Sequence, residues 1–257
     1  MKNRQLQNGF SLVEVLMASG ILAVGLLMIA GTFPVGIFLT AGAVEQTIAP
    51  IAADEAFAKI QLYGINLNTV ISNHLPAFTD AIRCDDFNNI NMVKASGGSN
   101  QINDKEYLYP SDNSIDGRVY SWSAICRRLA DSNDALVQVT VFVGRKTGAG
   151  LKYYRLDNSG NIINDGSQPT PVRVNVPTVN FNKIEVDRSF ITDGCTIVAD
   201  VSGNIYRVLD HASAGGIVEC TLDKNWTDGG SDVWLVPPPV SGGRSPVIGV
   251  YQRIIKF

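Results

Sequence analysis

Gly9-Phe10-Ser11-Leu12-Val13-Glu14 opens an almost wholly apolar run, GFSLVEVLMASGILAVGLLMIAGTFPVGIFLTAGAV over residues 9–44, and the reading of that run decides the fold. Glu14 is its only charge, and the thirty residues from Val15 to Val44 carry none. As a helix, thirty residues rise roughly 45 Å, against about 30 Å of bilayer hydrocarbon. The nine residues before it, MKNRQLQNG, carry Lys2 and Arg4 and no acid. That charge bias predicts an N-terminus held in the cytoplasm, with everything after about residue 45 outside it.

A secretory signal peptide explains the run poorly, because its apolar core is about 7–15 residues long and ends in a small-residue cleavage site. An uncleaved anchor explains the length and the basic leader, but not Glu14. A carboxylate at bilayer depth costs about 2.5 kcal/mol or more and so needs a partner. None lies nearby on the same helix. Cleavage between Gly9 and Phe10 creates one, a free cationic amine on Phe10. Glu14, one helical turn away, can pair with that amine on a neighbouring subunit. In apolar surroundings the attraction is strong and each unpaired charge is costly, so the pair acts as a register device.

Gly9-Phe10-Ser11-Leu12-Val13-Glu14, set between a short basic leader and a long apolar run, resembles the prepilin processing motif. That motif marks type IV pilins and the pseudopilins of type II secretion. The resemblance implies that Gly9 ends the leader and that Phe10 begins the mature chain. A prepilin peptidase would cut between them and N-methylate Phe10, and Glu14 would engage the N-terminus of an adjacent subunit. The wording SLVEVLMASGILAVGLL is most similar to minor pilins and minor pseudopilins. The resemblance covers residues 1 to about 64.

Beyond Val44 the pattern turns amphipathic. Ile48, Ile51, Ala52, Phe57, Ile60 and Tyr63 recur at helical spacing between Glu45, Gln46, Asp54, Glu55 and Lys59, a face suited to lie on a sheet. Gly64 before an Asn-rich stretch suits the helix end. The predicted helix therefore runs from Phe10 to Tyr63. Pro34 and Pro50 lie inside it; each removes a backbone donor and is expected to kink it. Gly20, Gly25, Gly31, Gly36 and Gly42 weaken it further and admit close neighbours. A weakened stretch at Gly31–Gly36 could unwind in a filament, as the resemblance to pilins suggests.

From residue 65 the chain is polar, with short β-branched runs. Strands are predicted at Val119–Leu129, Leu136–Arg145, Lys152–Leu156, Val172–Asn182, Cys195–Val201, Asn204–Leu209, Ile217–Leu222, Val233–Val236 and Val247–Ile255, and a short helix within 75–95. Val119–Leu129 alternates, with Tyr120, Trp122, Ala124 and Cys126 on one face and mainly polar residues on the other. Asp157-Asn158-Ser159-Gly160-Asn161-Ile162 and Asp200-Val201-Ser202-Gly203-Asn204-Ile205 resemble each other and read as hairpin turns. A calcium loop is the sharper alternative, but each repeat core holds one carboxylate, which is thin for a hard cation. Cys84, Cys126, Cys195 and Cys220 lie on the outer side, where disulfides are plausible. Of three connectivities, 84–126 and 195–220 close the most local loops; free buried thiols are the alternative. No metal site and no cofactor are expected.

The composition, 45% hydrophobic and 18% charged, suits a chain with a packed core. A net charge of −3 argues against general nucleic-acid binding. His74 and His211 are far apart, and neither a G-x-S-x-G elbow nor a phosphate-binding glycine loop is present. Asp85-Asp86 reads as a loop charge pair, and Arg127-Arg128 point to opposite faces of a strand. No catalytic residue is expected.

The expected fold is α+β: a long kinked N-terminal helix, transmembrane in its first half, packed on an antiparallel β-sheet, with additional C-terminal β elements. The domains are a leader (1–9), the helix (10–64) and a β-rich extracytoplasmic head (65–257). The expected role is that of a structural filament subunit, a minor pilin or pseudopilin. Its partners would be prepilin peptidase, other pilin or pseudopilin subunits, the inner-membrane assembly platform and the lipid bilayer. The alternative is an uncleaved, membrane-anchored adhesin or binding module.

Overall fold

The computed structural model describes residues 11–64, 82–83, 104–111, 119–129, 136–146, 150–157, 160–177, 179–187, 190–214, 217–229 and 232–257. The chain divides into two compact units, Met1–Thr47 and Ile48–Phe257. One helix, α1, runs from Leu12 to Tyr63 over 52 residues and contributes to both. It ends at Gly64, whose φ of 73° and N–H bond of 2.9 Å to the Ile60 carbonyl form a left-handed cap.

In the first unit every residue from Ser11 to Thr40 is exposed. Leu, Ile, Val, Met and Phe side chains cover the surface all round, and the helix is long and apolar enough to cross a membrane. The hydroxyls in this stretch turn back on their own helix. Ser19 donates to the Leu16 carbonyl at 2.9 Å, Thr32 to Ile29 at 3.0 Å and Thr40 to Gly36 at 2.8 Å. In hydrocarbon, which offers no other partner, this satisfies each donor locally.

In the second unit α1 buries Ala49, Ala52, Ala53, Ala56, Phe57 and Ile60. These recur at i, i+3, i+4, i+7, i+8 and i+11, one stripe of a 3.6-residue helix. Ile51, expected on this face, is 50% exposed, because it lies about 100° of helix rotation from Ala52, off the stripe. The alanines let the backbone come close to a sheet, and Phe57 and Ile60 fill the space between.

That first sheet contains β1 (Ile82–Arg83), β2 (Leu108–Tyr109), β3 (Tyr120–Arg128), β4 (Leu136–Arg145) and β14 (Val247–Lys256). Its order is β1-β3-β4-β14, with β2 also on β3, and every pairing is antiparallel. Trp122, Ala124 and Cys126 of β3 and Val137, Val139, Val141 and Val143 of β4 meet the helix. The remaining elements are β5 (Tyr153–Leu156), β6 (Ile162–Gly166), β7 (Val172–Asn175), β8 (Val179–Asn180), β9 (Lys183–Asp187), β10 (Thr196–Ala199), β11 (Ile205–Ala214), β12 (Ile217–Leu222) and β13 (Asp232–Leu235). β5 and β6 form a hairpin, and the rest make a seven-stranded sheet in the order β7-β13-β10-β11-β12-β9-β8.

The second sheet changes what the far side of the first one is. Ile125 and Phe142, between the helix-facing residues, pack on Val198, Trp234 and Val236. Ser121 and Ser123, on the face expected to be polar and wet, are each 1% exposed. Local alternation gives the pleat but not what covers it. The layers are therefore helix, first sheet and second sheet, the α+β arrangement expected.

The two sheets are stitched by the turn after β10. Arg127 donates to the Val201 carbonyl and to Gln138. Gln252 donates to the Gly203 carbonyl at 2.6 Å and to Thr140 Oγ1 at 2.9 Å. Gly203 has φ 71° and sits so close that a Cβ would lie 2.6 Å from Gln138 Oε1. Beside the turn, Asp200, 1% exposed, accepts from Trp234 Nε1 at 2.6 Å and pairs with Arg173 at 2.7 Å. Arg173 also meets Asp232 at 2.9 Å.

Candidate assembly site at the helix N-terminus

Gly9 and Phe10 lie outside the described residues. Ser11 and Glu14, just after them, show how the helix begins. The Ser11 hydroxyl accepts from the Glu14 N–H at 3.2 Å, and Glu14 Oε2 accepts from the Ser11 N–H at 3.5 Å. This is a capping box, in which two backbone donors that a helix start leaves unpaired are satisfied reciprocally. The Ser-x-x-Glu spacing was visible in the sequence, and the reading of Glu14 as a docking residue alone passed over it. A carboxylate in the first turn also faces the positive end of the helix dipole.

The box leaves most of the carboxylate's acceptor capacity unused. Among the described residues, Ser11 N–H is the one donor to it, at the long end of hydrogen-bond distance. A carboxylate has two oxygens and about four acceptor sites. Around it Leu12, Val13, Val15 and Leu16 are between 56% and 78% exposed, an apolar collar. One under-satisfied anion in an apolar collar can recruit a cation from another chain and can be desolvated with it.

Pro34 and Pro50 both lie inside α1. Lacking an N–H, they leave the carbonyls of Ala30 and Gln46, four residues back, without the usual helical donor.

The cysteines depart from expectation. Cys126, Cys195 and Cys220 are free, buried thiols, and Cys84 lies outside the described residues. The expected 195–220 bond is not formed, for a topological reason. Cys195 borders β11, with the Val208 N–H donating to its carbonyl at 2.9 Å, and Cys220 pairs with His211 on the far side of that strand. Two strand spacings across, and the offset from Val208 to His211 along β11, put the residues more than about 10 Å apart, beyond disulfide reach. Cys126 faces the helix-side core. Burial pushes Cys195 up to about 11 and Cys220 up to about 12. Both stay neutral near pH 7 and are poor nucleophiles there.

Of the residues weighed for chemistry, His74, Asp85 and Asp86 lie outside the described set. His211 is exposed and hydrogen-bonds Asp193. The short helix expected within 75–95 also falls mostly outside; residues 82–83 are strand. In the first Ser-Gly-Asn turn, Asp157 accepts from the Asn161 backbone at 2.8 Å and from its amide at 3.2 Å. In the second, Asp200 is committed to Trp234 and Arg173. Asp157 serves its own turn and Asp200 ties its turn to β13 and β7, and among the described residues no cluster of three His, Cys, Asp or Glu is set to hold a metal.

No curated protein and no solved structure matches the chain. One family model does match, the prokaryotic N-terminal methylation motif, over residues 4–30. That interval spans the basic leader, Gly9, Phe10, the Ser11–Glu14 box and the first half of the exposed apolar helix. It implies processing by prepilin peptidase and assembly with other pilin subunits, and with the apolar helix it fits an inner-membrane-anchored, structural, pilin-like protein. The chain carries, over residues 4–30, the signature of the type IV pilins and pseudopilins.

Proposed function

We propose that the protein is a minor pilin or minor pseudopilin, a rare subunit of a type IV pilus-like filament. The observation that carries this reading is Glu14, a lone carboxylate in the first turn of an exposed apolar helix, within the methylation motif. On this reading prepilin peptidase cuts between Gly9 and Phe10 and methylates Phe10. The helix holds the subunit in the inner membrane, with its N-terminus cytoplasmic and its head periplasmic. An inner-membrane platform then draws it into the filament, where Glu14 pairs with the Phe10 amine of a neighbour. The head from residue 65 is large for the repeating unit of a thin filament, which favours a rare position at a tip or side.

The proposed division of labour runs along the chain: residues 1–9 are the leader, 10–64 the anchor and docking helix, and 65–257 the displayed head. Pro34, with Gly31 and Gly36 beside it, is the proposed weak point at which the helix unwinds on assembly, and Pro50 a second bend. The docking step is tested by Glu14→Ala and Glu14→Gln. Both are expected to be cleaved and membrane-inserted normally but lost from sheared filaments by tenfold or more. Filament incorporation of Glu14→Gln at the wild-type level would refute the charge-pairing role. An uncleaved adhesin would retain residues 1–9 and would not enter filaments at all.

A further inference from the structure

We propose that the outer edge of β14 is a docking strand, which takes an extended segment of a neighbouring pilin subunit as a further strand of the first sheet. This rests on the reading of the chain as a filament subunit and names the part of the head that meets its neighbour. The methylation motif implies assembly with other pilin subunits, and that puts other pilin chains beside this one.

The phase of the hydrogen-bond ladder decides which groups face outward. At the two ends of the β3–β4 ladder the Leu129 N–H donates to the Leu136 carbonyl at 3.1 Å and the Lys146 N–H to the Val119 carbonyl at 2.5 Å. In an antiparallel pair bonded positions alternate, so the even-numbered residues of β4 bond β3 and the odd-numbered ones bond β14. The Arg145 N–H follows this rule, donating to the Pro246 carbonyl at 2.7 Å. Past the bulge between Val247 and Gly249, Val141 stands opposite Tyr251, Val139 opposite Arg253 and Val137 opposite Ile255. Tyr251, Arg253 and Ile255 therefore turn their N–H and C=O groups to β4. Val250, Gln252 and Ile254 turn theirs away, and among the described residues no strand lies on that flank. Their donors and acceptors stand at two-residue spacing, roughly 6.8 Å. An extended main chain is the ligand that meets this alternation group for group.

The devices that usually blunt a sheet edge are short length, proline, a bulge or a charge set across it. The other edge strands have the first: β1, β2 and β8 hold two residues each and β7 four. β14 holds ten, without a proline. Its bulge lies before Val250, outside the outward-facing stretch. Arg253 is the one charge in that stretch, and it lies back on the helix side, over the Phe57 ring and paired with Asp54. On the other face Ile254 is 64% exposed. A β-branched or other apolar residue of the incoming strand would cover it as a cross-strand neighbour.

The test is a proline on the edge. Ile254→Pro removes one outward N–H and no bond to β4, so the fold can keep it while the docking ladder cannot. Expressed in cells that hold a prepilin peptidase, it is expected to be processed and to give the wild-type circular dichroism, but to fall tenfold or more in sheared filaments. Ile254→Thr keeps the N–H and the β-branch and is expected to enter at the wild-type level. Entry of Ile254→Pro at the wild-type level would overturn the docking strand and leave the filament reading standing, whereas a wild-type chain missing from filaments would overturn both. Residue-resolved amide exchange of the wild-type protein is independent of how the proline variant folds. The Val250, Gln252 and Ile254 amides are expected to exchange at least tenfold more slowly in filaments than in detergent micelles, and equal rates would overturn the proposal.

Discussion

Replacing Gly203 with alanine tests whether the turn after β10 holds the two sheets of the second unit together. Two costs combine. Gly203 has φ 71°, a left-handed conformation that costs a residue with a Cβ about 1–2 kcal/mol. The new Cβ would also lie 2.6 Å from Gln138 Oε1 and 2.8 Å from Arg127 Nε, distances real Cβ contacts do not reach. Gln138 and Arg127 must therefore move, and Arg127 loses its bond to the Val201 carbonyl. A hydrogen bond to a charged group contributes about 1.5–3 kcal/mol. The sum is roughly 2.5–5 kcal/mol, or about 5–20 °C in Tm for a unit of this size. Gly160→Ala separates the terms, because Gly160 has φ 80° with nothing within 4 Å of its Cβ position. It should lose only the backbone part, about 1–2 kcal/mol. The assay is thermal unfolding of the full-length protein in detergent, followed by circular dichroism of the β signal. A Gly203→Ala midpoint no lower than that of Gly160→Ala would refute the stitching argument.

The other predictions concern the layers on either side. Phe57→Ala removes the largest side chain of the helix stripe and the ring that Arg253 overlies at 4.7 Å, and should cost about 3–5 kcal/mol in the same melt; Leu62→Ala, at a position 78% exposed, should stay within about 0.5 kcal/mol. Trp234→Phe leaves the buried Asp200 carboxylate without a donor now 2.6 Å away and should cost about 1–3 kcal/mol; retention of the wild-type melting point would mean that this bond contributes nothing. Cys195 and Cys220, raised to about 11 and 12, should resist a thiol reagent at pH 8 in the native protein. Both should label on denaturation without reductant, as read by peptide mass mapping, whereas failure to label would reveal a bond between them.

The helix and the first sheet were largely legible in the sequence. The observed β4 has the bounds its β-branched run predicts, and so does β12. Glu14 stood out as the one charge in an apolar run, although its capping of the helix start was passed over. Where the reading fell short, the missing information lay in distant partners. β11 continues past the predicted Leu209 through Asp210, His211 and Ala212, residues with little intrinsic strand preference; its ladder with β12 holds them extended. The predicted Val172–Asn182 strand is broken at Val176 and Pro177, since proline cannot donate to a ladder. Lys183–Asp187 was missed as a strand although Ile184 and Val186 alternate with charges and fill the second core. The cavity lined by Arg83, Tyr107, Trp122, Arg155 and the stretch from Asp165 to Thr170 was not legible at all, because local pattern cannot bring five separate stretches together. The expected 195–220 bond, one of the two pairings, is absent for a related reason, and the thiols stand as in the free-buried alternative. Closeness along the chain said nothing of β11 lying between Cys195 and Cys220.

On the proposed reading, the apolar helix is both an anchor and an assembly element released by processing. The most direct measurement is the intact mass and N-terminal peptide of the protein from membranes of cells that hold a prepilin peptidase. The expected product is a chain that begins at Phe10 and carries one added methyl group there. A chain with residues 1–9 still attached would contradict it.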